Sequence, residues 1–210
     1  MSQEAISFKN KNPKIDYKSM KLLELQKLPP HNGIIDFHIS KTSFKMLNIL
    51  NDDSSVVKYF WHGTHDLDSL DLWYNISKEE GILIDVGAHT GLNTMTSVKA
   101  NNKNKVISIE PYYLNMARLI CNLRLNGIGS SVQTMMMAAS EVSGTMNFNI
   151  NTNTSYLSKG GKIAEEGIPI QTIFLDSLNF KNVENKITGI KIDTEGEDLK
   201  VLKGSLKLIK

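Results

Sequence analysis

The sequence predicts an α/β protein whose core is a doubly wound parallel sheet. From Gly81 onward, short apolar segments alternate with segments of helical spacing. The apolar segments have the composition of strands that are buried on both faces, as in a parallel sheet. Two of them end on an acidic residue, Glu110 and Asp193, as expected where strand ends border a ligand-binding crevice.

Composition restricts the class of protein. Hydrophobic residues make up 40% and charged residues 22% of the 210 residues, a balance typical of a globular chain. The net charge is only +2 and lysines are interspersed with carboxylates, so we expect no nucleic-acid partner. Cys121 is the only cysteine, which excludes an intrachain disulfide. Because no apolar run is long enough for a signal sequence or a membrane span, we predict a cytoplasmic protein with no membrane partner.

Residues 1–80 are predicted to form an N-terminal accessory segment of helices and a short strand. Apolar residues at helical spacing predict the helices, one of which is ended by Pro29 and Pro30. The helices are expected at residues 20–28 and 67–76, and the strand at residues 34–39. Two other apolar segments, 44–50 and 56–60, fit a helix and a strand equally well.

Residues 81–210 are predicted to form the main domain. Strands are expected at residues 82–86, 106–109, 132–138 and 189–193, and helices at residues 90–100, 113–125 and 198–209. An alternating segment at 145–150 is expected to add a strand beside the main sheet. Residues 151–167 are rich in Asn, Thr, Ser, Lys and Gly, which predicts an exposed loop.

A glycine turn, residues 85–91, lies between the first strand and the first helix of this domain. Gly87 and Gly91 would let backbone N–H groups approach a ligand, and the helix N-terminus would attract an anionic group such as a carboxylate. A tight turn without any ligand has the same pattern. Glu110 favours the ligand, because an acidic residue at the tip of the second strand binds a ribose in doubly wound folds. A water-exposed loop carboxylate is the alternative for Glu110.

The same turn restricts the kind of cofactor. Dinucleotide sites use Gly-x-Gly-x-x-Gly, and His89 stands where the second glycine would be. The chain also lacks a phosphate-binding loop that ends in Gly-Lys-Ser/Thr. A cofactor with a ribose and no phosphate is therefore favoured, and S-adenosylmethionine is a molecule of that kind.

Residues 193–198 place four carboxylates after the last predicted strand. Thr194 and Glu197 have capping-box spacing, and acidic residues stabilise the first turn of a helix, so a structural role is one interpretation. It explains Asp193 less well, because a carboxylate at the end of a central strand points into the crevice where ligands bind.

Taken in order, these motifs resemble the FkbM family of S-adenosylmethionine-dependent methyltransferases over about residues 63–205. Six motifs of the family each resemble a segment of this chain. They are the family's Asp-Val-Gly-Ala-Asn-x-Gly at 85–91, its Glu-Pro at Glu110-Pro111, its paired asparagines at Asn122 and Asn126, its Ala-Leu-Ser-Asp-x-x-Gly at 138–144, its Lys-Ile-Asp-Val-Glu-Gly at 191–196 and its Val-Leu-Lys-Gly at 201–204. The resemblance implies a Rossmann-like fold and S-adenosylmethionine as cofactor.

The resemblance also implies which residues contact the cofactor. They are Asp85, Gly87, Ala88, His89, Gly91, Glu110, Pro111, Tyr112, Ala138 and Asp193. Two positions depart from the family pattern, since His89 replaces an asparagine and Asp198 replaces a glutamate. His89 is open to three roles, namely packing, bonding to a ligand carboxylate and deprotonating a substrate.

The implied reaction is methyl transfer to a hydroxyl group of a small molecule or a sugar. This reaction needs an aligned acceptor oxygen and a base that removes its proton. We expect Asp193 to be that base, with Glu195 and His89 as the other candidates. A non-catalytic domain that binds an adenosyl ligand, or an inactive fragment of a methyltransferase, is the competing interpretation.

A metal ion is a further alternative for activating the hydroxyl group. The carboxylates of Asp193, Glu195 and Asp198 are ligands of the right kind, although acidic helix starts are common without a metal. A second segment also contains residue types that bind metals, namely His62, His65, Asp66 and Asp68. It lacks the spacing of a recognised zinc site and fits a solvated loop. We therefore assign no metal ligand.

The family sheet has further strands beyond the one predicted at 189–193, so we expect the domain to be C-terminally incomplete at Lys210. An apolar strand with an unpaired edge tends to aggregate or to bind a partner. We expect that edge to be covered by a longer natural chain, by the segment 34–39 or by another chain. A second copy of this chain, in a homo-oligomer, is one form of the last alternative.

Overall fold

The computed structural model describes residues 3–63, 67–150, 157, 161–180 and 186–210. In chain order the helices are α1 (Gln3–Lys11), α2 (Leu22–Leu25), α3 (Ser54–His62), α4 (Leu67–Ile76), α5 (Leu92–Ala100), α6 (Tyr113–Leu125) and α7 (Asp198–Lys203). The strands are β1 (Gly33–Ile39), β2 (Thr42–Asn48), β3 (Ile82–Val86), β4 (Lys105–Ile109), β5 (Val132–Met135), β6 (Ala138–Ala139), β7 (Gly144–Asn149), β8 (Lys162–Ala164), β9 (Ile168–Ile173) and β10 (Ile187–Ile192).

The central sheet is parallel, with the strand order β10-β3-β4-β5. All five residues of β3 are buried, which explains its continuous apolar sequence. One face packs against α4 and α5 through Trp73, Leu83 and Val98. The opposite face packs against α7 through Ile84 and Val201. The sheet is therefore covered by helices on both faces, which confirms the predicted Rossmann-like α/β class.

The N-terminal residues form a hairpin in which β1 pairs with β2 in an antiparallel manner. Phe37 and Met46 of the hairpin are fully buried in the same apolar cluster as Met95 of α5 and Leu119 of α6. The hairpin and the main domain thus share one hydrophobic core.

Polar side chains of α6 attach the hairpin to the main domain. Asn126 accepts a hydrogen bond from the backbone nitrogen of Lys45 and donates one to its oxygen, at 2.8 and 2.7 Å. One turn earlier, Asn122 accepts from the nitrogen of Leu47 at 2.9 Å, and one further turn earlier Arg118 donates to the oxygen of Leu47 at 2.9 Å. The spacing of four residues places all three side chains on one face of the helix, where they follow β2.

The expectation that residues 34–39 cover the edge of β10 is wrong. Within the described residues, β1 pairs only with β2, and β10 is the terminal strand of its sheet. The segments whose pattern was ambiguous, 44–50 and 56–60, lie largely in β2 and α3. The predicted helix at 20–28 is only one turn long, because α2 covers Leu22–Leu25.

A second four-stranded sheet, in the order β6-β9-β7-β8, corrects two predictions. The strand expected at 132–138 ends at Met135, and Ala138 belongs to β6, which pairs with β9. The strand expected beside the main sheet is β7, and it pairs with β8 and β9 instead. β8 lies in the segment 151–167 that was expected to be a loop, and most of that segment lies outside the described residues.

The last helix is shorter than the predicted 198–209, because α7 ends at Lys203. Its C-cap is Gly204, where an added Cβ would lie 2.3 Å from the backbone oxygen of Ser140. This close approach of two backbones requires glycine and packs the end of α7 against the segment that follows β6. Within the described part of the chain, no helix is both long and apolar enough to cross a membrane.

Candidate functional site

A cavity of about 750 Å³ lies at the carboxyl ends of β3, β4 and β10. Helices α3 and α4 and the second sheet complete its walls. The predicted site residues that line it are Gly87, Ala88, His89, Glu110, Pro111, Ala138, Asp193 and Glu195. Three predicted cofactor residues, Asp85, Gly91 and Tyr112, are not among its lining residues.

The glycine turn is shaped by contacts within the protein. Gly87 has φ +71°, and an added Cβ would lie 1.9 Å from the backbone oxygen of Asp193. The N–H groups of Gly87 and Ala88 both donate to the oxygen of Ile109, at 2.9 and 3.0 Å. The N–H group of His89 donates to Glu110 at 2.9 Å. The expectation that these amides are available to a ligand is therefore wrong, since each already has a protein acceptor.

Glu110 is buried at the tip of β4, with 5% of its surface exposed. Its Oε2 accepts from His89, and its Oε1 accepts from the backbone nitrogen of Tyr112 at 3.0 Å and from Asn115 Nδ2 at 3.1 Å. A carboxylate offers about four acceptor positions, so three bonds fix its orientation and leave one position for a ligand. Glu110 is therefore a rigid acceptor on the cavity wall and not a solvated loop carboxylate.

Asp85 is fully buried behind the cavity wall, where it pairs with Lys191. The two residues are cross-strand neighbours in β3 and β10, and Lys191 Nζ lies 3.3 Å from Asp85 Oδ1. Thr94 Oγ1 donates to Asp85 Oδ2 at 2.7 Å, and it also lies 2.7 Å from Ser108 Oγ. Asp85 thus belongs to a buried polar row that crosses the sheet.

Lys191 connects this buried row to the cavity. Its ammonium group donates to the backbone oxygen of Gly87 at 2.9 Å and lies 3.7 Å from Asp193 Oδ2. The side chain of Lys191 is 17% exposed, whereas that of Asp193 is 75% exposed. Lys191 therefore lies between a buried carboxylate and one that faces the cavity.

Asp193 and Glu195 follow the end of β10 and both are exposed on the cavity wall. Glu195 has a left-handed backbone, with φ +43°, which turns the chain toward α7. The predicted capping box of Thr194 and Glu197 is wrong. Instead, Asp198 accepts hydrogen bonds from the nitrogen and the hydroxyl of Thr194, at 3.0 and 3.1 Å.

His89 lies on the wall with an unusual backbone conformation, φ +50°. Asparagine and histidine adopt this left-handed backbone conformation more readily than most residues. This agrees with the asparagine that stands at this position in the family that the sequence resembles. Within the described part of the chain, His89 Nε2 is buried and has no hydrogen-bond partner.

Tyr112 is buried, and its ring packs edge-on against that of Tyr113. Burial, together with the neighbouring Tyr113, raises the pKa of Tyr112. Its phenol therefore stays protonated at neutral pH.

The sequence prediction missed the contribution of the N-terminal residues to the cavity. Ser54 and Ser55 at the start of α3 line it, as does Trp73 of α4. Asp53 caps α3, because its Oδ1 accepts from the nitrogens of Ser55 and Val56 at 3.0 and 3.2 Å. An Asp before an apolar run is a helix-start signal, and this signal was available in the sequence.

Among the described residues, no three His, Cys, Asp or Glu side chains are grouped as a metal site would require. Asp198, a candidate ligand, is engaged by Thr194. His65 and Asp66 lie outside the described residues, and His62 Nε2 lies 3.2 Å from the backbone oxygen of Met20.

A family model described as "Methyltransferase FkbM domain" matches residues 85–210, which is more than half of the chain. The matched range includes the glycine turn, Glu110 and Asp193. A comparison with curated proteins finds no match.

Several solved structures are similar to parts of the chain. An S-adenosylmethionine-dependent methyltransferase from Agrobacterium tumefaciens is 9% identical over 52% of this chain and 34% of its own, with a TM-score of 0.39. TYW2 of P. horikoshii in complex with MeSAdo is 14% identical over 53% and 40%, with a TM-score of 0.38. TYW2 of M. jannaschii in complex with AdoMet is 21% identical over 52% and 45%, with a TM-score of 0.37. The chain spans less than half of the length of each of these structures.

Proposed function

Because the chain belongs to the methyltransferase FkbM domain family, we propose that it binds S-adenosylmethionine and transfers its methyl group to a hydroxyl group of a small molecule or a sugar. The observation that carries this proposal is the position of the cavity. It opens at the carboxyl ends of the parallel strands, where ligands of open α/β sheets bind, and Glu110 and Asp193 both lie on its wall.

The adenosine half of the cofactor fits the residues around Glu110. The carboxylate keeps one acceptor position, which suits a ribose hydroxyl. Beside it, Pro111, Ala138 and Phe148 give the same cavity an apolar surface that suits a purine ring. A pyrophosphate would find less support, because the turn amides of Gly87 and Ala88 donate to Ile109.

In the proposed reaction, a residue of this chain removes the proton from the acceptor hydroxyl. When bound, S-adenosylmethionine supplies a methyl group on a positively charged sulfur, so an aligned and deprotonated oxygen can attack it. Asp193 is the proposed base, because its exposed carboxylate lies on the cavity wall at the end of β10. Glu195 and His89 line the same cavity and are the other candidates.

The test is methyl transfer from radiolabelled S-adenosylmethionine to a library of hydroxyl compounds. Asp193→Asn keeps the shape of the side chain and removes the base, so we expect turnover to fall by about 10²–10⁴-fold. Binding of S-adenosylhomocysteine should stay within about twofold of the parent. Asp36→Asn, a change at an exposed position of β1, is the matched control and should have parent turnover.

Two outcomes would contradict parts of this proposal. Parent turnover in Asp193→Asn would exclude Asp193 as the base, and the same assay on Glu195→Gln and His89→Asn would then decide between the other two. Cofactor binding without methyl transfer to any hydroxyl compound would favour the non-catalytic adenosyl-ligand binder. A cytoplasmic location and a homo-oligomer remain predictions from the sequence.

A further inference from the structure

We propose that helix α4 selects the methyl acceptor, and that Leu72 of this helix contacts an apolar part of the acceptor molecule. The acceptor is then an alcohol or a phenol with an apolar body, and not a sugar. This inference rests on the proposed function and narrows its acceptor class. It assigns the selection to a helix that precedes the matched family domain, residues 85–210, in the chain.

One side of α4 forms a wall of the cavity. Among its residues at the cavity are Ser69, Leu72, Trp73 and Ile76. Steps of three and four residues place these side chains on the same side of a helix. Leu72 is 64% exposed and Ile76 is 37% exposed, although both are large and apolar. An apolar ligand that covers them removes their surface from water, which favours its binding.

Trp73 gives the same wall further apolar surface. Its Nε1 donates to the backbone oxygen of Asn93 at 3.1 Å, so the polar atom of the indole ring already has a protein partner. A ligand at this ring therefore meets carbon atoms. A sugar needs hydrogen-bond partners for several hydroxyl groups, and Leu72 and Ile76 offer it none. Its hydroxyl groups would lose their bonds to water here without replacement, which disfavours a sugar at this wall.

The apolar side of α4 lies beside the strand that leads to Asp193. An added Cβ at Gly189 of β10 would lie 2.9 Å from Ile76 Cγ2 and 3.2 Å from Trp73 Cζ3, so the helix and the strand are in direct contact. Asp193 follows the carboxyl end of this strand and lines the same cavity as Leu72. An acceptor whose apolar body rests on α4 can therefore present its hydroxyl group to the proposed base.

The experiment measures the binding of two probes to the 210-residue chain saturated with S-adenosylhomocysteine, by isothermal titration calorimetry. One probe is 2-naphthol, an apolar body with a single hydroxyl group, and the other is methyl β-D-glucopyranoside, a sugar. We expect the parent to bind 2-naphthol at least about tenfold more tightly than the glucoside. Leu72→Ser removes apolar contact area and should weaken the binding of 2-naphthol on the order of tenfold. Its affinity for S-adenosylhomocysteine should stay within about twofold of the parent.

Leu23→Ser is the matched control. Leu23 of α2 is as exposed as Leu72, at 62%, and is not among the lining residues of the cavity. This variant should bind both probes and S-adenosylhomocysteine as the parent does. In the methyl-transfer assay of the proposed function, we expect products from apolar alcohols and phenols. For these acceptors, kcat/KM should fall on the order of tenfold in Leu72→Ser and stay at the parent value in Leu23→Ser.

The outcomes separate this inference from the proposed function. If the parent binds S-adenosylhomocysteine but binds the glucoside at least as tightly as 2-naphthol, binds neither probe, or methylates only sugars, the acceptor class is wrong and cofactor binding stands. If a natively folded Leu72→Ser binds 2-naphthol as Leu23→Ser does, or loses S-adenosylhomocysteine to the same extent as 2-naphthol, the assignment of Leu72 is wrong. If the folded parent does not bind S-adenosylhomocysteine, the proposed function fails and the inference fails with it.

Discussion

The carboxylate of Asp53 accepts a 2.6 Å hydrogen bond from the hydroxyl of Thr90, and this bond connects the start of α3 to the glycine turn of the main domain. Both side chains are buried, at 0% and 1% exposure. Asn122 adds a second connection, because it donates to the backbone oxygen of Thr90 and accepts from the nitrogen of Leu47 in the hairpin. The N-terminal residues are therefore part of the structure that holds the turn in place.

Thr90→Val tests this connection, because valine has the shape of threonine and no hydroxyl. The change leaves a buried carboxylate oxygen of Asp53 without its donor, so we expect the free energy of unfolding to fall by about 1–3 kcal/mol. Urea denaturation followed by circular dichroism measures the loss. Thr90→Ser keeps the hydroxyl and should lose clearly less stability than Thr90→Val. Equal stability of Thr90→Val and the parent would show that the bond contributes nothing.

Lys191→Met tests the buried pair beneath the cavity. Removing one partner of a buried ion pair leaves an uncompensated charge, here on Asp85, and costs about 3–5 kcal/mol. Because 17% of the Lys191 side chain is exposed, we expect the lower end of that range. In urea denaturation, the double variant Asp85→Asn/Lys191→Met should be more stable than Lys191→Met alone. A double variant that is less stable than either single variant would contradict the pairing.

The pH dependence of stability tests the environment of His31. This side chain is 4% exposed and its ring centre lies 4.5 Å from that of Phe60. Burial lowers the pKa of His31 below the usual value of about 6.5. The unfolded chain therefore takes up a proton at a higher pH than the folded chain does. Stability is fully present above about pH 6.5 and falls as the pH drops below it, by at most about 1.4 kcal/mol per pH unit.

Urea denaturation between pH 7.5 and 5 measures this effect, and the variant His31→Leu should lose the part of the slope that His31 causes. His38→Leu is the matched control, because His38 is exposed, and its slope should equal that of the parent. Equal slopes in the parent and in His31→Leu would show that His31 titrates alike in the folded and unfolded chains.

Much of the main domain could be predicted because its strands are buried on both faces and its helices have regular spacing. The strand at 82–86 and the helix at 113–125 have the predicted bounds. The hairpin was harder to predict because β2 buries Asn48, a polar residue that interrupts the apolar alternation. The second sheet was missed because Ala138 of β6 pairs with Thr172 of β9, and no local pattern reveals a partner so distant in sequence.

The candidate site was predictable where a residue's place at a strand end decides its role. Glu110 and Asp193 were found in this way, and both lie on the cavity wall. Asp85 is also near a strand end, but it faces Lys191 and Thr94 behind the wall, and the sequence does not show which way the side chain points. Ser54 carries no motif and reaches the cavity only through the packing of the hairpin and α3 on the main domain.

Titration of the chain with S-adenosylhomocysteine, followed by calorimetry in parallel with Glu110→Ala, tests the central claim most directly. We expect saturable one-to-one binding to the parent. The variant loses hydrogen bonds to a charged acceptor, so its affinity should be on the order of ten- to a hundredfold lower. Because Glu110 also holds the nitrogens of His89 and Tyr112, the folded state of the variant is checked by circular dichroism in the same buffer. No saturable binding to the folded parent, or parent affinity in a folded Glu110→Ala variant, would contradict the assignment of this cavity as a cofactor site with Glu110 on the ribose.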